Sequence, residues 1–220
     1  MKTFIFLFAV LVSLGLCSCQ EPLMYSCDEE LNDWVIDNME DIQLLSRSEW
    51  KKLEMEYQIP AYRAFTSKQK QDFWIEKLEE VLELDWNQKE KDHLKVLCDY
   101  VKANQYVFEL DIDEDETDFI EFDKFQYEWI CYAQEELKWE KSVIAAIITN
   151  GYKVKNKEGE LDLPIESLAV IKRSSEISCS CSTRSDWCQS GFCETIMACN
   201  KRDGCGTLMR YTCDGLCSGF

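Results

Sequence analysis

An all-α helical body followed by a small disulfide-rich C-terminal module is the fold class this sequence predicts, and three observations predict it. From Ser26 to Gly151 apolar residues recur at three- and four-residue intervals, the spacing of one face of an α-helix. Eight of the thirteen cysteines fall between Cys179 and Cys217. An apolar run from Phe4 to Leu16 follows Lys2 and has the length of an export signal, too short for an ordinary membrane span. The expected organisation is a lipoprotein signal peptide over residues 1–18, an acidic helical bundle over 19–150, a linker over 151–178 and the disulfide-rich module over 179–220.

The signal ends in Leu16-Cys17-Ser18-Cys19. A lipoprotein signal peptidase leaves a cysteine at the new N-terminus and needs a small residue before it. Ser18 meets that need and Leu16 does not, so Cys19 is the expected lipidation site. The competing reading is a plain secretory signal cut nearby. Either way the chain is exported; with the lipid it is membrane-anchored, in the periplasm or on the cell surface.

In the helical body, Glu29–Met39 and Ser46–Tyr57 carry apolar residues at turn-like spacing, with Trp34, Ile36, Met39, Trp50, Leu53 and Tyr57 expected inward. Pro60 should break the pattern. Ser67 reads as the N-cap of a helix to Leu84 that turns Phe73, Trp74, Leu78, Val81 and Leu82 inward. Asn87 with Glu90 forms a variant capping box for a helix burying Leu94, Leu97, Cys98 and Val101. A last long helix should run from Thr117 to the C-cap pair Asn150-Gly151, with Val143–Ile148 as a buried face. Residues 151–178 lose the helical period and read as a polar linker ending near Lys172-Arg173, an exposed basic pair at which proteolysis could release the tail.

The composition, 46% hydrophobic and 30% charged, is that of a globular chain. The net charge of −18 lies almost wholly upstream of the tail, since Ser174 onward carries four basic and five acidic residues. An acid-rich body repels polyphosphate, so nucleic acid is excluded as a partner class.

The tail is too poor in large aliphatics to fold on a core alone, so crosslinks must supply the stability. After Cys179-Ser180-Cys181 the cysteines are separated by six, four, five, five, seven and three residues. Zinc sites favour close pairs joined by histidine, and the only histidine is His93, far upstream. In an exported chain this pattern reads as disulfides among Cys179, Cys181, Cys188, Cys193, Cys199, Cys205, Cys213 and Cys217, with no metal. These admit roughly a hundred pairings; a Cys179–Cys181 bridge is disfavoured by its one-residue gap. Cys98 and Cys131 fall on inward helix faces, where a small apolar thiol is ordinary. Cys27 is left unassigned.

The residues between the cysteines carry further information. Cys179-Ser180-Cys181-Ser182-Thr183, Ser185-Asp186 before Cys188, Phe192-Cys193 with Thr195, Ala198-Cys199, Gly204-Cys205-Gly206-Thr207 and Tyr211 before Cys213 form a set. In cysteine order and intervening residues this set resembles fulvocin C, and the whole layout resembles the fulvocin C-related bacteriocins. The resemblance spans about forty residues of tail, and more loosely Ile59–Arg63 through Trp74 and Leu78. It implies a toxin acting on the membrane or envelope of other bacteria, with an immunity protein as a further partner. The large acidic body and the lipid anchor depart from a freely diffusing bacteriocin.

Other chemistry is set aside. Asp111, Asp113 and Asp115 suggest a calcium loop, but its sixth position is Glu116 and its twelfth Phe122, where glycine and glutamate are required. His93 lies in a polar run and reads as a solvated helix position, and no serine elbow or phosphate loop is present, so neither catalysis nor a cofactor is expected. The competing function is a surface lipoprotein whose stapled tail is an adhesin. In the toxin reading Trp187, Phe192, Ile196, Met197, Leu208, Met209, Tyr211, Leu216 and Phe220 are too many for so small an interior, so some face outward as an interaction surface; the alternative is that they pack against the body.

Overall fold

The computed structural model describes residues 25–109, 117–163, 181–185, 187–188, 191–195 and 201–218. The signal peptide, Cys19, the run Asp111–Asp115, the pair Lys172-Arg173 and the tail cysteines Cys179 and Cys199 lie outside them. Among the described residues the body is helical and the tail carries short strands.

Helix α1 (Glu29–Asp37) starts where the Asp28 carboxylate accepts from the Leu31 N–H at 3.0 Å. The expected first helix is interrupted at Asn38 and followed by a one-turn α2 (Met39–Ile42). The expected Ser46–Tyr57 helix is likewise two pieces. A Ser46–Glu49 capping box opens the single turn α3 (Arg47–Trp50), and α4 begins afresh at Met55 and runs to Ala64. Pro60 sits inside α4 instead of ending it. The ring forgoes one backbone bond, to the Glu56 carbonyl, and is buried, so packing offsets the loss.

The long helices follow the sequence closely. Helix α5 (Ser67–Leu82) is capped by Thr66, one residue before the expected Ser67, through a box with Gln69. Helix α6 (Gln88–Ala103) opens on the expected Asn87–Glu90 box. The final helix is divided into α7 (Thr117–Glu135) and α8 (Lys141–Ile148). Lys138 takes a left-handed conformation (φ 57°) between them. That turn carries Trp139 into the core, where its indole donates to Glu90 Oε1 at 3.1 Å and packs on Trp86 and Trp129.

Trp50, Phe73, Trp74, Leu78, Val81, Leu94, Leu97, Cys98 and Val101 are buried as their spacing implies, whereas Ile36 is 50% exposed. Two buried cations tie distant elements. Arg47 donates to the Gly151 carbonyl and pairs with Glu76 and Glu80. Lys77 donates to the carbonyls of Ala146 and Asn150, closing the C-terminal end of α8, where a cation also meets the favourable end of the helix dipole. Burial, with Arg47 nearby, pushes the Lys77 ammonium well below its ordinary pKa.

Residues 151–161 belong to the body and are not a free strap. Gly151 is wedged against Phe73 and Trp50, the Tyr152 hydroxyl donates to Gln58 Oε1 at 2.6 Å, and Val154 bridges Leu161. In the tail, β1 (Phe192–Thr195) pairs antiparallel with β4 (Gly215–Ser218), and β2 (Lys201–Cys205) with β3 (Tyr211–Cys213). No helix among the described residues is long and apolar enough to cross a membrane.

Candidate functional site: the stapled tail and its seat on the body

Three bridges organise the described part of the tail: Cys181–Cys193, Cys188–Cys217 and Cys205–Cys213. Cys193 and Cys217 face each other across the β1–β4 register, and each is bonded to a cysteine of the preceding segment. Cys181 and Cys188 are thereby pinned to the β1–β4 pair at two points. Backbone bonds between Cys181 and Gly215, and the Thr183 N–H and hydroxyl donating to Asp214 at 2.7 and 2.6 Å, finish the attachment. The sulfurs of Cys181, Cys188 and Cys217 lie within 4.8 Å of one another. Each already belongs to a disulfide, so the cluster is a crossing of two bridges and offers no thiolate to a metal. Cys181 is bonded to Cys193 and not to the adjacent Cys179, as bridge geometry requires. Cys27, unassigned from sequence, is also disulfide-bonded, while Cys98 and Cys131 are free thiols.

The third bridge closes a loop that enters the body. Asp203 and Leu208 both take left-handed backbone conformations (φ 61° and 54°), and Gly204 (φ 104°) lets the chain lie against α4, since a Cβ there would stand 2.7 Å from Ile59 Cγ2. The loop buries Leu208, Met209 and Tyr211, each at most 1% exposed. For these three residues the alternative holds, packing against the body and not facing outward. Trp187 also packs against the core, and among the named tail residues within the described set only Phe192 is substantially exposed, at 45%. The described loop residues fit a bay of the body in which Tyr62 of α4 meets the Leu208 carbonyl and Phe119 and Phe122 of α7 pack on Tyr211.

That bay is polar as well as apolar. Asp203, 1% exposed, accepts from Lys70 Nζ at 2.6 Å and from Arg210 NH1 at 2.7 Å. Burial lowers the Lys70 pKa, with Asp203 pulling in the opposite direction. Arg63 donates to the Asp203 carbonyl and to that of Tyr25, and Arg210 to the Glu109 carbonyl. The Tyr62 hydroxyl donates to the Leu208 carbonyl at 3.1 Å while accepting from the Trp74 indole. On α7, the Tyr211 hydroxyl donates to Asp123 and accepts from Gln126, and Phe119 lies beneath both Arg184 and Arg210. Burial pushes both tyrosine hydroxyls far above their ordinary pKa, and for Tyr211 the Asp123 carboxylate adds to the rise. These residues are structural acceptors and donors with no freedom to ionise near neutrality.

Packing of the tail on the body is one of two alternatives in the sequence, but its polar partners are not legible there: Lys70 stands in the polar run Ser67–Asp72, with no signal that sets it apart. His93 was also misplaced. Instead of facing solvent it is 8% exposed, stacked between Trp129 and Tyr132 with ring centroids 4.5 and 4.8 Å away. Burial drops its pKa to about 4. Its Nε2 has no hydrogen-bond partner, and it sits behind an open groove of about 510 Å³ edged by Lys89, Asp92, Glu128 and Tyr132. No family model, curated protein or solved structure matches this chain.

Proposed function

We propose that this chain is a bacteriocin-like antibacterial protein, exported as a lipoprotein on Cys19, in which a helical bundle carries the tail and the tail acts on the envelope of competing bacteria. The residue pattern interleaved with Cys179 to Cys217, with its resemblance to fulvocin C, carries this reading. The disulfides fit it, because they persist in the oxidising compartments that exported proteins reach. An enzymatic role has less support: His93, the sole histidine, is held in a ring stack with its pKa depressed, away from the working range of a general base.

Two measurements test the proposal. Mass spectrometry of the mature N-terminus should find a diacylglyceryl group on Cys19; a mature chain starting elsewhere without acyl mass removes the anchor. Growth inhibition should be measured on close and distant strains with the oxidised protein, the same protein reduced and alkylated, and the oxidised peptide Ser178–Phe220 prepared apart from the body. Killing by the oxidised preparations alone supports a stapled effector. Silence throughout, with specific binding to a glycan or host protein, establishes the adhesin instead.

A further inference from the structure

We propose that the body is the tail's own inhibitor, its bay holding the Asp203–Tyr211 loop out of reach of any target until the two are parted. The inference rests on the antibacterial reading above and goes beyond it, because a carrier need only display its cargo. Here the cargo is engaged by its most interactive segment. The loop presents Leu208, Met209 and Tyr211, three large apolar side chains of the described tail, and all three are buried against the body.

The engagement is also built for selectivity. A merely adhesive contact would be apolar, whereas this one meets several polar groups of the loop with side chains of the body. Lys70 takes the Asp203 carboxylate, Arg63 its carbonyl, Tyr62 the Leu208 carbonyl and Asp123 the Tyr211 hydroxyl. Buried ion pairs add little net stability compared with apolar packing, and their best-attested use is to fix one arrangement and reject others. Lys70, Tyr62, Arg63 and Asp123 all belong to the body, so the bay is a receptor whose ligand is the tail of this same chain. The β1–β4 hairpin stays outside with Phe192 exposed, so docking hides one face of the tail and leaves the other visible.

The test leaves the tail sequence untouched and loosens the bay from the body side. Tyr62→Phe removes one donor to the loop; Lys70→Glu sets a second carboxylate against Asp203. Full-length oxidised wild type and both variants are compared for folding by circular dichroism, for amide exchange across residues 203–211 and for growth inhibition. The milder Tyr62→Phe keeps the test decisive if Lys70→Glu fails to fold. The expected result is faster exchange in the loop and a fall of about tenfold or more in inhibitory concentration, as a rarely open state becomes commonly open. A wild type that inhibits as strongly as a variant with a loosened loop overturns inhibition and leaves the antibacterial reading standing. A loosened loop with all chains silent overturns both. Unchanged loop exchange in both variants shows that these contacts do not hold the loop, and overturns the proposal as well.

Discussion

His93 shows how a single buried ring sets a pH dependence. The unfolded chain takes up a proton at this residue below its ordinary pKa of 6.5, and the folded one only below about 4. Between these values the unfolded state binds more protons, so the contribution of this group to stability falls as pH falls through that window. Lys89, Asp92 and Glu128 edge the same groove, so the measurement compares two chains that share them. His93→Phe keeps a stacking ring without the proton site. Its melting temperature, followed from pH 7 to 4, should decline less steeply than that of the wild type; parallel curves would show that His93 is not the source. Gly151 makes the complementary steric point. A Cβ there would lie 2.2 Å from Phe73 and 2.6 Å from Trp50, both buried rings that cannot swing aside. Gly151→Ala should therefore cost roughly 1–3 kcal/mol in chemical denaturation, the range of core overpacking.

Secondary elements were legible to the extent that their signals are local. Capping boxes are written in four consecutive residues, and Asn87–Glu90 opens α6 where its sequence says it should. The division of α7 from α8 was not legible, because Lys138 adopts its left-handed turn to deliver Trp139 to partners on other elements. Pro60 misled for the same reason: local chemistry disfavours it in a helix, and burial in α4 overrides that. The cysteines divide in the same manner. Density and spacing marked the tail as crosslinked, yet pairing depends on which strands lie side by side, and that is a property of the fold. The Cys205–Cys213 bridge closes the loop seated in the bay. Its removal in a Cys205→Ser/Cys213→Ser variant should cost about 2–3 kcal/mol, the chain-entropy value for so short a closure. Among the described cysteines, alkylation of the unfolded, unreduced protein should label Cys98 and Cys131 alone; label on Cys27 or on any bridged tail cysteine would contradict the arrangement.

At the scale of the whole chain, composition changes sharply near Gly151 and again at Cys179, which divides the sequence into a body, a linker and a tail as if each stood alone. The described contacts argue for mutual dependence instead. Removing the tail would expose the surfaces that cover Leu208, Met209 and Tyr211 and would leave Lys70 without its carboxylate. Burial of three such side chains is worth roughly 5 kcal/mol or more at 1.5–3 kcal/mol each. Stranding a buried cation costs a further few kcal/mol unless it deprotonates or reaches water. Set against a total stability of about 5–15 kcal/mol for an ordinary domain, a loss of this size removes most or all of the margin. A chain ending at Leu163 should therefore keep helical circular dichroism but melt broadly and bind a hydrophobic dye, as compact states without fixed packing do. The full chain cut between residues 163 and 181 should behave differently. Its melt should remain sharp, since the bay contacts survive the cut. A sharp melt of the truncated chain within a few degrees of the full-length protein would instead show a body that folds independently of its tail.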